Sequence, residues 1–184
     1  MSAGGLSAGD RAPSFKLATD GGETISSSNL KGAPYVVYFY PKDDTSGCTK
    51  QAIGFSESLK KFDKLGVAVI GVSKDNLESH AKFRKKHKLK ITLGSDPETR
   101  MAQDWGVWGE KSLYGRKYMG MERATFLVNA KGVIEQAWHK VKVPGHVETV
   151  LAAAAALCNS PPKNSGGTRP RPGRPRAPFS GTGA

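Results

Sequence analysis

The chain is 184 residues long, with 38% hydrophobic and 24% charged residues, which is room for one domain and a tail. No apolar run approaches the 18 or so residues of a membrane span, so no membrane partner is expected. Two cysteines, Cys48 and Cys158, are too few for a disulfide scaffold or a Cys-rich zinc site. The N-terminal MSAGGLSAGDR has no basic segment followed by an apolar one, so a reducing cytoplasm and free thiols are the expectation.

The net charge of +12 is unevenly spread. Residues 159–184 hold Lys163, Arg169, Arg171, Arg174 and Arg176 and no acid, together with six of the 11 prolines. Such a composition buries too little apolar surface to offset ordering, so a disordered basic tail is expected over 159–184, behind one domain over 1–158.

The domain reads as alternating strands and helices. Short alternating runs around Asp20-Gly21-Gly22 predict an N-terminal β-hairpin between Pro13 and Leu30. Tyr35 to Tyr40 (YVVYFY) predicts a strand buried on both faces, ended by Pro41. Ala52, Phe55, Leu59 and Phe62 recur at helical spacing and predict one helix closed by Gly66. Val67–Val72 predicts a second buried strand. Asp75 with Glu78 suggests a capping box for a helix with Leu77, His80, Ala81 and Arg84 on one face. A short strand at Ile91–Leu93 and a short helix at Glu98–Trp105 follow. Residues 106–120, with four glycines, read as a loop. Two strands, Thr125–Val128 and Val133–Trp138, flank the turn signal Asn129-Ala130-Lys131-Gly132, and Val147–Leu157 is the last helix. The order predicts an α/β fold with helices on both faces of the sheet.

Chemistry in such folds sits at the C-terminal end of a central strand. The Tyr35–Tyr40 strand runs into Pro41-Lys42-Asp43-Asp44-Thr45-Ser46-Gly47-Cys48. Extending the helical period back from Ala52 puts Cys48 in the first turn, facing inward. Unpaired backbone N–H groups and the positive end of the helix dipole favour a thiolate there. Thr45 is placed to cap the helix or bond a ligand beside the sulfur, and Pro41 to fix the loop. Cys48 is followed by Thr49-Lys50-Gln51, so there is no CxxC dithiol.

PKDDTSGCT resembles the Pro-x-x-x-Thr-x-x-Cys motif of peroxiredoxins, and GVSKDNLESHAKF, SDPE, WGVWGEK, YMGMERATFLVNAKG and HKVKVPGHVETVL follow in the order of the bacterioferritin-comigratory, or peroxiredoxin Q, group. The likeness spans about Gly9 to Leu157. It implies a thioredoxin-like fold, a central mixed sheet flanked by helices with an N-terminal β-hairpin. It also implies an antioxidant enzyme, a thioredoxin-dependent peroxidase that reduces hydrogen peroxide and organic hydroperoxides and is recycled by thioredoxin or another thiol. Cys48 resembles the peroxidatic cysteine, Thr45 the threonine that orients thiolate and peroxide, Pro41 the proline that roofs the pocket. Arg123 resembles the arginine that stabilises the thiolate and holds the peroxide oxygens. No cofactor or metal is implied, and the oligomeric state implied is monomer or weak dimer.

Two departures stand out. Where many members carry a resolving cysteine five residues after the peroxidatic one, this chain has Ile53; where many carry Glu three residues after it, this chain has Gln51. A one-cysteine cycle is therefore expected, with Cys158 non-catalytic. His80, His87, His139 and His146 lack metal-ligand spacing and read as structural or solvent-facing. The Lys82–Lys90 run reads as a solvated helix end. Trp105 and Trp108 fit either the mouth of the site or packing under a loop. The competing class is a thioredoxin-fold protein binding nucleic acid through its basic tail, against which no recognition motif is present.

Overall fold

A computed structural model of the chain describes residues 6–159. The disordered tail expected over 159–184 lies outside the described residues apart from Asn159, which ends the last helix. In chain order the strands are β1 (Lys16–Thr19), β2 (Thr24–Ser26), β3 (Tyr35–Phe39), β4 (Ala68–Ser73), β5 (Thr92–Ser95), β6 (Trp108–Leu113), β7 (Arg116–Met121), β8 (Ala124–Val128) and β9 (Ile134–Trp138). The helices are α1 (Ser46–Glu57), α2 (Leu59–Lys64), α3 (Leu77–His87), α4 (Arg100–Asp104) and α5 (His146–Asn159).

Seven strands make one mixed sheet in the order β2-β1-β5-β4-β3-β8-β9. β3, β4 and β5 run parallel, while β8 lies antiparallel to β3, and β1 to β5. Every residue of β3 is buried, which is why its sequence is a continuous β-branched and aromatic run. The strand's period of two sorts it between two layers. Val36 and Tyr38 face a cluster with Ala52, Phe55, Phe62, Phe83 and Val150 from α1, α2, α3 and α5. Tyr35, Val37 and Phe39 face the other, with Phe15, Met101, Trp105 and Phe126. The sheet is thus flanked by helices on both faces, a thioredoxin-like fold, with β1 and β2 as the expected N-terminal hairpin. No helix among the described residues is long and apolar enough to cross a membrane.

Four expectations are corrected. The single helix to Gly66 is two: Ser58, with φ −93° and ψ 1°, breaks it, and its N–H still bonds Gly54 O. Residues 106–120 are not a loop but hold most of the β6–β7 hairpin. Its turn places Tyr114 at φ 51° and Gly115 at φ 79°, the pair of positive values that a tight I′ turn demands. The sequence signal was hidden because β7 is exposed from Arg116 to Met119 and its apolar residues keep no strict alternation. The helix cap on α3 is Asn76, whose side chain accepts from the Ser79 N–H at 2.8 Å, and not Asp75. The buried face of α3 is His80 and Phe83, with Leu77 and Ala81 exposed.

Gly71 on β4 gives Tyr38 its room. A β-carbon there would lie 2.8 Å from Tyr38 Cζ and 2.9 Å from its hydroxyl oxygen. Tyr38 cannot retreat, because its ring stacks on Phe55 at 4.6 Å. Gly71→Ala is expected to destabilise by about 1–3 kcal/mol through overpacking. A lower urea midpoint at unchanged slope is the expected readout, and a wild-type midpoint would contradict the packing described.

Candidate functional site

The C-terminal end of β3 and the start of β8 are brought together by their antiparallel register, which pairs Phe39 with Ala124. Residue 123 therefore stands beside the point where the chain leaves β3 for the loop 41–45 and helix α1. Cys48 lies in the first turn of α1 and is 1% exposed. The Arg123 guanidinium reaches it: Nη2 donates to Cys48 Sγ at 3.3 Å, while Nη1 donates to Gln51 Oε1 at 2.8 Å. One planar fork thus spans the third and sixth residues of the helix.

The fit depends on Gly47. A β-carbon there would lie 3.2 Å from Arg123 Nη2. The backbone of Arg123 is itself held, since its carbonyl accepts from the Val141 N–H at 2.9 Å.

Thr45 occupies the N-cap position with extended backbone, but its side chain makes no capping bond. Its hydroxyl donates to Lys42 O at 3.1 Å, which leaves the oxygen as an acceptor on the exposed side of the loop. The first-turn N–H groups, with no partner within the helix, are therefore not satisfied by Thr45. Pro41 is half-buried at the start of the loop. The structure thus brings Cys48 and Arg123 into contact and places Thr45 and Pro41 on the segment entering the helix.

Three neighbours were not singled out as site residues in the sequence. Lys111 on β6 is half-buried and donates to Met121 O at 2.7 Å. Desolvation and then the Arg123 charge lower its pKa, while Glu122 and Cys48 oppose them. It sits on the hairpin that read as loop. Tyr38 lies beneath the site with a buried, unpartnered hydroxyl. Burial and then the Cys48 and Asp43 charges push it well above the usual phenol value, so it stays neutral. Gln51 was noticed as a departure, but not as a partner of Arg123; its Nε2 is buried without a partner.

The other expectations separate cleanly. Trp105 is fully buried against Phe39 and Phe126, so packing is its role. The basic run is not simply solvated: Arg84 donates to Asp20 and to the carbonyls of Leu89 and Ile91, which ties α3 to the edge of the sheet. His87 and His139 face Asp44 and Glu122, while His80 and His146 are buried. No group of three or more potential metal ligands occurs among the described residues. Cys158 is partly buried against the helical layer and donates to Leu65 O at 3.4 Å; desolvation raises its pKa.

The chain is similar to known proteins over most of its length. Residues 8–137 match the AhpC/TSA family. The bcp protein of Coxiella burnetii is 47% identical over 146 residues, covering 79% of this chain and 97% of that one. Peroxiredoxin Bcp of Bacillus subtilis is 45% identical over 143 residues, 78% of this chain and 91% of its own. A solved structure of the Xanthomonas campestris bacterioferritin comigratory protein, described for its alkyl peroxide reduction, superposes with a TM-score of 0.76. It is 39% identical, over 79% of this chain and 92% of that one.

His146 makes the site's pH dependence testable. Its Nε2 lies 2.8 Å from Thr125 Oγ1, edge-on to Trp138 and Phe55. Burial, and then the Arg123 charge, push its pKa down from 6.5 to about 4. The unfolded chain therefore takes up a proton near pH 6.5 that the folded protein refuses until about pH 4. The contribution of His146 to stability should fall as pH drops through that window, by on the order of 1–2 kcal/mol between pH 7 and pH 5, while His80, whose pKa is raised, works the other way. His146→Gln keeps a polar partner for Thr125 without the titration and should flatten this slope in urea unfolding. An equally steep slope in the variant would place the acid sensitivity elsewhere.

Proposed function

The chain belongs to the AhpC/TSA family and is a peroxiredoxin of the Bcp and PrxQ type, a thiol peroxidase; on that premise we propose that Cys48 is its peroxidatic cysteine in a one-cysteine cycle. The observation that carries the assignment is the 3.3 Å contact between Arg123 Nη2 and Cys48 Sγ at a helix N-terminus.

The Cys48 thiolate attacks the terminal oxygen of a hydroperoxide. The O–O bond breaks, the sulfur is oxidised to a sulfenic acid, and the departing alkoxide or hydroxide takes a proton and leaves as alcohol or water. Negative charge spreads over both oxygens in the transition state. Arg123 and the first-turn amide N–H groups stabilise it without reorganising. Thr45 Oγ1, whose proton goes to Lys42 O, is free to accept the O–H of the incoming hydroperoxide, and Pro41 shields the loop from water. A thiol then attacks the sulfenic sulfur, giving a mixed disulfide and water. A second thiol releases Cys48, so one dithiol, such as thioredoxin, completes the cycle in a reducing cytoplasm. The alkyl peroxide reduction described for the Xanthomonas relative supports organic hydroperoxides beside hydrogen peroxide as substrates. A monomer or weak dimer is proposed. The comparisons do not favour the nucleic-acid alternative.

The fold supports resolution by an external thiol. Ile53 stands where many relatives carry a second cysteine, and Cys158 is on the far end of α5. Val147, near the start of that helix, packs on Gly54, where a β-carbon would lie 3.0 Å from Val147 Cγ2. Cys158 abuts Leu65, past the end of α2, while Cys48 lies on the opposite side of Gly54. Val147 to Cys158 alone spans about 16 Å of helix. A disulfide needs Cα atoms within about 7 Å.

Cys48→Ser is expected to leave less than about one per cent of the peroxide reaction in stopped-flow mixing. Arg123→Ala should slow it by about a hundredfold, and should also slow iodoacetamide alkylation of Cys48 at pH 7. Cys158→Ser should turn over within about twofold of wild type with thioredoxin as reductant. Retained activity in Cys48→Ser, or turnover lost in Cys158→Ser, would overturn the assignment.

A further inference from the structure

The loop that carries Pro41 and Thr45 is held from behind by a buried ionic network that the chemistry above does not use. Asp43, in the middle of the loop, has a side chain only 3% exposed, and the His80 side chain from α3 is fully buried. Asp43 Oδ1 accepts from the Tyr40 hydroxyl at 2.6 Å. Its Oδ2 accepts from the Ser79 hydroxyl at 2.8 Å and lies 2.7 Å from His80 Nδ1. The Asp43 N–H donates to Asp75 Oδ2 at 2.7 Å, an oxygen that also accepts from Ser73. His80 Nε2 lies 2.9 Å from Gly94 O on β5.

These partners fix the proton count. A carbonyl oxygen only accepts, so Nε2 carries a proton. The Asp43 oxygens already accept from two hydroxyls, and Nδ1 faces one of these oxygens at 2.7 Å, the geometry of a second donated proton. Titratable groups reach His80 from every side: Asp43 from the loop, Tyr40 from the end of β3, Asp75 from the turn before α3. Desolvation opposes the imidazolium, but the Asp43 bond and charge, the Gly94 carbonyl and Asp75 outweigh it and raise the His80 pKa. The next residue, Asp44, has φ 62°, a conformation that non-glycine residues disfavour. Lys86 and His87, also on α3, hold its carboxylate at 2.9 and 3.0 Å.

We infer that His80 and Asp43 are positioning residues for the peroxide reaction, a buried imidazolium–carboxylate pair through which α3 sets the Pro41–Thr45 loop for attack by Cys48. This rests on the peroxidase reading. Neither residue touches the reacting atoms. Both act by fixing the loop, and misplacement of a positioned group by an ångström is enough to cost a large factor in rate.

The pair of rates to measure in the full chain is peroxide oxidation and iodoacetamide alkylation of Cys48. Both need the thiolate, but only the first needs the loop, so their ratio cancels the thiolate fraction. His80→Ala and Asp43→Asn should each lower the ratio by about tenfold, and His80→Gln, which keeps a donor but not the charge, by less. In wild type the ratio should fall as pH rises through the deprotonation of His80, and His80→Gln should lack that fall. Nitrogen NMR of wild type needs no variant to fold, and both His80 ring nitrogens should be protonated at neutral pH. An unprotonated His80 nitrogen, or a ratio unchanged in His80→Ala, would overturn the inference alone. A wild type that does not react with peroxide at all would remove the peroxidase reading and the inference together.

Discussion

The proposed chemistry asks a sulfur that is 1% exposed to react as a thiolate, and the cation within reach of it is Arg123. Desolvation penalises a buried thiolate, and a guanidinium is the side chain that cannot answer by losing its own proton. Its second arm rests on Gln51, a neutral partner, so its charge is not shared with a carboxylate at that position. Lys111 adds positive potential from the β6–β7 hairpin. The sheet exists at this point to bring two chain segments together. Pairing Phe39 with Ala124 delivers the end of β3 and the start of β8 to one place, and the helix and the arginine follow from there.

Behind that contact lies a group of buried polar side chains. Asp43, Ser73, His80 and Thr125 are all buried, and each is hydrogen-bonded. Such networks are costly if any member is unmatched and rigid when all are satisfied. Among the described residues three groups depart from that rule, the Tyr38 hydroxyl, Gln51 Nε2 and Trp105 Nε1, and the first two lie on the Cys48 side of the sheet. The two buried histidines work in opposite directions. Burial and then the Arg123 charge lower the His146 pKa, while the Asp43 bond and charge raise that of His80 against its own desolvation.

The sheet was legible because β3, β4 and β8 are buried on both faces and leave continuous apolar runs. The hairpin β6–β7 was not, because its strands lie outside the main sheet and carry no apolar period, and the tight turn Tyr114-Gly115 is a weak signal. The break at Ser58 was invisible because Phe55 and Phe62 keep the apolar period across it. Cys48 could be placed from the helical period and the strand it follows. Arg123, 75 residues further on, could not, since only the β3–β8 pairing makes it a neighbour. The motif resemblance supplied that residue, and the geometry supplies a reason for it. Asp43 and His80 were within reach of no pattern: one stands in a loop, and the other lay on a helical face whose apolar members, Leu77 and Ala81, proved to be exposed.

The central claim is that one sulfur, Cys48, takes the oxygen and that Cys158 does not resolve it. Mass spectrometry of the intact protein after one equivalent of hydrogen peroxide, without reductant, tests it most directly. The account predicts one added oxygen located on Cys48, with further oxygen added there under excess peroxide. A loss of two hydrogens with a Cys48–Cys158 crosslinked peptide, or an oxygen located anywhere but Cys48, would contradict it.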